Sequence, residues 1–98
     1  MAQRREFILE GIETMDQFYD QISEKLGLMD WFGRNLDALN DAFRGGCGSV
    51  DPKGTTFIWR GWQESQRSLS RFDTIVEIFQ IHDVGGREAA DDVKLVLE

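Results

Sequence analysis

The chain has 98 residues, 41% hydrophobic and 30% charged. This balance supports one folded domain, residues 1–98, and excludes an acidic disordered tail. The formal charge of −7 argues against direct nucleic-acid binding, which relies on clustered Lys and Arg. A lone cysteine, Cys47, cannot close an intramolecular disulfide, and the opening MAQRREF lacks the apolar run of a secretory signal. No apolar stretch approaches the roughly 18 residues of a membrane span. The expectation is a cytoplasmic protein with no membrane contact.

Phe7 to Leu9 is a short apolar run closed by Gly11, which predicts a first strand buried on both faces. Thr14-x-x-Gln17 is a capping-box pattern. It opens a helix with Met15, Phe18, Tyr19, Ile22 and Leu26 on one stripe and Asp16, Asp20 and Glu24 on the other, ended by Gly27. A second helix starts at Asn35, a good N-cap, buries Leu36, Leu39 and Phe43, and ends at Arg44 and Gly45. The segment GGCGSVDPKG, residues 45–54, holds four glycines and the only proline and reads as a loop, too short to divide the chain into domains.

Thr55 to Trp59, β-branched and aromatic, predicts a second buried strand, followed by a helical turn or short helix in WRGWQESQRSL. A longer helix is predicted from about Arg71 to Val84 on Phe72, Ile75, Val76 and Phe79. Gly85-Gly86 closes it, and Val93 to Leu97 forms a final strand. Strands separated by helices imply a small parallel sheet with helical cover, an α/β fold.

Enzyme chemistry has little to draw on, because the chain has one His and one Cys, in no catalytic motif. Cys47 between glycines is either a reactive thiol or simply a small loop residue, the latter being the more usual case. His82 beside Asp83 reads as a pH-sensitive contact or as a cation favoured by the helix carboxyl end. Asp91-Asp92 fits no calcium-loop spacing, and the glycines of the loop fit no phosphate-binding fingerprint. No metal, cofactor or catalytic residue is assigned.

At about 100° per residue, Asp37, Asp41 and Arg44 share the outward face of the second helix. Asp37 in the first turn is favoured by the helix dipole, whereas Asp41 is not, so their stacking carries a small like-charge cost. Two readings fit: carboxylates offered to a cationic pocket, or a solvated face tied by Arg34 and Arg44 at spacings of three. Before the helix, Trp31 and Phe32 stand in a loop with Gly33, where one aromatic can anchor an interface while the other folds inward.

The run WFGRNLDALNDAF, Trp31 to Phe43, resembles the signature segment of the barstar family, intracellular inhibitors of ribonucleases. The resemblance extends to WRGWQES at Trp59 to Ser65 and to the first and last strands. It implies a three-stranded parallel sheet packed by helices, with the second helix and its preceding loop entering a ribonuclease cleft. Trp31 then matches the aromatic residue over the catalytic centre, Asp37 and Asp41 the interfacial aspartates, with Asp41 in a substrate-phosphate site, and Gly45 an interface glycine. Such a cleft is basic because it binds an anionic backbone, and a rigid helix bearing carboxylates can replace phosphates without being cleavable.

The chain departs from that pattern at several points. Asn40 stands for a Trp of the best-known member, Arg44 for a Thr and Arg34 for a Glu, so the face is less acidic. Ile81 aligns with an acidic contact on the last helix, which Asp83 restores if the alignment shifts by two residues. The expected partner-binding set is therefore Trp31, Gly33, Asp37, Asn40, Asp41, Arg44, Gly45 and Asp83. The expected partner is a ribonuclease in a 1:1 complex with a chain that is monomeric when free. The alternative is a regulatory or assembly domain of the same fold that binds a non-ribonuclease protein or toxin, and a thiol enzyme centred on Cys47 is a remote third.

Overall fold

The computed structural model describes residues 5–28, 35–44, 48, 50–83, 85–88 and 91–98. Three strands, β1 (Arg5–Leu9), β2 (Thr55–Trp59) and β3 (Val93–Leu97), form one parallel sheet in the order β1-β2-β3. Parallel neighbours need crossovers, and helices α1 (Met15–Leu26) and α2 (Leu36–Arg44) supply the first of them. Helices α3 (Trp62–Ser68) and α4 (Phe72–His82) supply the second. The α/β class and the three-stranded parallel sheet therefore match the expectation.

Local chemistry sets the element ends. Thr14 Oγ1 accepts from the Gln17 amide at 3.1 Å, and Gln17 Oε1 accepts from the Thr14 amide at 3.1 Å, closing the capping box. Gly27, at φ 58°, is the left-handed stop of α1. At α2, Asn35 Oδ1 accepts from the Ala38 amide at 2.8 Å, as an N-cap should.

The core lies against the sheet face that carries Phe57 and Trp59. Phe18 of α1 stacks on Trp59 at 5.4 Å, Phe43 of α2 meets Phe79 of α4 at 4.7 Å, and Phe79 meets Phe57 edge-on at 5.5 Å. The buried Trp59 indole donates to Ser65 Oγ at 3.0 Å, and Ser65 donates to the Ile12 carbonyl at 2.7 Å, so the Trp59 N–H is paired.

Four sequence expectations need correction. β1 begins at Arg5 rather than Phe7, because its first residues pair in register with Thr55 and Thr56 of β2. Nor is it buried on both faces: Ile8 is 37% exposed, beside Ile58 and Val96 in register on the face opposite Phe57 and Trp59. α4 ends at His82, two residues early, because Asp83 turns extended and the turn that follows folds back on the helix end. Ile78, absent from the predicted stripe, is buried with Phe72, Ile75 and Phe79.

Among the described residues, no helix is long and apolar enough to cross a membrane.

Candidate functional site

Helix α2 divides cleanly by side. Leu39, Ala42 and Phe43 are buried, whereas Asp37, Asp41 and Arg44 are exposed. Because the buried stripe packs between sheet and α4 through Phe57 and Phe79, the exposed stripe is carried on a helix with little freedom to roll. The outward placement of Asp37, Asp41 and Arg44 thus agrees with the periodicity.

Asp41 and Arg44 are joined: Arg44 Nη1 donates to Asp41 Oδ1 at 3.0 Å. The rest of the guanidinium is taken by Glu88, through Nε at 2.8 Å and Nη2 at 2.9 Å, a fork-on-fork pair. Those charge-assisted hydrogen bonds hold the Glu88 carboxyl below its ordinary pKa.

Asn40, half-buried beside this stripe, turns inward. Its Oδ1 lies 2.6 Å from Nε2 of His82, while His82 Nδ1 lies 2.9 Å from Asp91 Oδ2. The imidazole is completely buried and meets Phe43 edge-on at 5.6 Å. Both ring nitrogens of His82, the last residue of α4, are thus engaged inside the fold, with Asn40 and Asp91. The ring ties α2 to the segment leading into β3.

His82, Glu88 and Asp91 bring ligand atoms within 4.8 Å of one another and are the described residues that could hold a metal ion. Each already has a side-chain partner, His82 with Asp91 and Asn40 and Glu88 with Arg44, so hydrogen bonding and ion pairing account for the cluster.

Between α2 and α4 runs a groove of about 280 Å³, lined by Leu36, Asp37 and Asn40 on one side and by Glu77, Ile78 and Ile81 on the other. Ile81, the residue aligned with an acidic contact, forms part of its wall, and Glu77 one turn earlier brings a carboxylate to it. Asp83 does not reach this groove. It lines two hollows with Gln80, one adjoining the groove through Glu77 and Ile81 and one against Leu95 and Leu97 of β3. Sequence reading missed Glu77, whose spacing of four from Ile81 was the available signal, and Glu88, which reaches Arg44 across 44 residues and left none. Trp31, Gly33 and Gly45, like Arg34 and Cys47, lie outside the described residues.

A three-stranded parallel sheet packed by helices defines a small α/β protein. The family model for Barstar, described as barnase inhibitor, matches residues 2–98, and the chain belongs to this family. It is also 30% identical over 97 residues to a Bacillus subtilis (strain 168) protein named "Putative ribonuclease inhibitor YrdF", covering 96% of this chain and 99% of that one.

Proposed function

We propose that the protein is a non-enzymatic inhibitor of a ribonuclease, acting inside the cell as an antitoxin or immunity protein. It occludes the basic active-site cleft with α2 and the loop before it, in a 1:1 complex. The observation that carries this reading is the pair of exposed carboxylates, Asp37 and Asp41, on the outward stripe of a helix whose other stripe is locked in the core. Carboxylates on a rigid support can take the places of phosphates in a cationic cleft without offering a bond to cleave. Family membership and the name of the Bacillus relative support the same partner class.

In this reading Trp31, Gly33 and Gly45 flank the contact, and Asn40 and Arg44 adapt it. Glu77, rather than Asp83, supplies the acidic group from α4, since Glu77 shares the groove with Asp37.

The experiment is capture of the source organism's secreted ribonucleases on the wild-type chain and on Asp41→Ala, followed by an inhibition assay. Wild type is expected to retain and inhibit a basic ribonuclease, and Asp41→Ala to lose most of that inhibition at an unchanged melting temperature. Recovery of the same non-nuclease partner by both proteins would sink the reading.

A further inference from the structure

Arg44 is an odd neighbour for a carboxylate that is meant to meet cations. It lies on the same outward stripe as Asp37 and Asp41 and is 45% exposed, yet each of its three guanidinium nitrogens donates to a carboxylate. Glu88 grips it through two parallel hydrogen bonds, and Glu88 is itself set on a fixed turn. Its amide donates to the Ile81 carbonyl at 2.8 Å, and the Gly86 amide donates to the Asp83 carbonyl at 2.9 Å. A Cβ on Gly86 would collide with the Gln80 and Ile81 carbonyl oxygens, so this turn sits as close to α4 as a backbone can.

We propose that Glu88 and Arg44 are positioning residues that act through Asp41: the turn after α4 fixes Glu88, Glu88 fixes the guanidinium plane, and Arg44 holds the Asp41 carboxylate in its binding orientation. This inference rests on the inhibitor reading above and assigns it a regulator of the same site. The brace uses one oxygen of Asp41 and leaves the side chain 64% exposed, so it orients the group without covering it. Nor does it quench the charge of the face, since two carboxylates and one guanidinium sum to −1. An exposed aspartate at mid-helix samples several rotamers, and a partner must freeze one of them on binding. Restricting it beforehand lowers that cost and shows as slower dissociation.

Charge alone and bracing predict opposite signs for one variant. Arg44→Ala makes the face more negative, so charge alone predicts tighter binding to a basic ribonuclease. Bracing predicts dissociation about three- to tenfold faster, the equivalent of ordering one side chain. The test measures association and dissociation rates of the full chain with the ribonuclease captured on wild type. It uses Arg44→Ala, Arg44→Lys, Glu88→Gln, Asp41→Ala and the double variant Asp41→Ala/Arg44→Ala, each checked to be fully folded at the assay temperature and pH.

The expected result is faster dissociation for Arg44→Ala, for Arg44→Lys (which keeps the charge but loses the fork) and for Glu88→Gln, persisting at high salt. In the Asp41→Ala background, Arg44→Ala should add almost nothing. Tighter binding by Arg44→Ala, or an Arg44 effect undiminished without Asp41, would overturn the brace while leaving the inhibitor reading intact. Full inhibition by Asp41→Ala, or no ribonuclease captured by wild type, would overturn the reading itself and the brace with it.

Discussion

His82 shows how much a single side chain can commit to. Its ring is wholly buried, one nitrogen facing Asn40 on α2 and the other facing Asp91 just before β3, with Phe43 against its edge. His82→Ala should lose about 2–4 kcal/mol in urea denaturation, because it opens a cavity and leaves two polar partners without their bonds. Ser65 is a second such point, since it links the Trp59 indole to the Ile12 carbonyl. Ser65→Ala should cost about 1–3 kcal/mol by the same assay, the desolvation penalty of a buried indole N–H left unpaired. Neither role was legible in the sequence. A lone histidine near a helix end and a serine in a polar run carry no mark of partners that lie 42 and 53 residues away.

At the scale of elements, caps and periodicity were read correctly where their causes are local. The capping box of α1, its Gly27 stop, the Asn35 cap of α2 and the bounds of β2 and β3 all follow from residues within a few positions of each other. Thr14→Ala should therefore lower stability by about 1 kcal/mol, read from the thermal midpoint, without altering any contact of α2. Gly48 is different in kind: it bridges to Leu28, and a Cβ there would strike the Leu26 carbonyl oxygen. Gly48→Ala is expected to destabilise the fold, with the loss confined to the joint between Gly48 and the end of α1 and visible as faster amide exchange at Leu28. The early end of α4 belongs to the same class. Hydrogen bonds from the 85–88 turn back to Ile81 and Asp83 outweigh the helical spacing that continues to Val84.

For the whole molecule, charge and pH bear on stability and partner choice together. The Glu88 carboxyl has its pKa lowered by the Arg44 fork. A carboxylate with a lowered folded pKa stabilises the fold at pH above its unfolded value, and that contribution is lost as pH falls through the folded value. Urea midpoints followed from about pH 7 to about pH 3 should therefore fall less steeply for Glu88→Gln than for wild type. With a formal charge of −7, association with a basic ribonuclease should slow by about tenfold or more between low and high salt, while dissociation changes little. Stopped-flow association rates at several ionic strengths provide that measurement.

The amino-acid sequence by itself determined the element order, the parallel α/β class, the buried stripe of α1 and the outward face bearing Asp37, Asp41 and Arg44. Each of these depends on spacing along the chain, and the family resemblance rests on one contiguous segment, Trp31 to Phe43. Only the tertiary structure decided that Arg44 answers to Glu88, that Asn40 turns inward to His82, that Glu77 and not Asp83 reaches the α2–α4 groove, and that one sheet face keeps Ile8 and Val96 partly exposed. The physical reason is common to all four. Hydrogen bonds, ion pairs and burial act over a few ångströms of space, and the fold brings together residues that no periodicity of the chain connects.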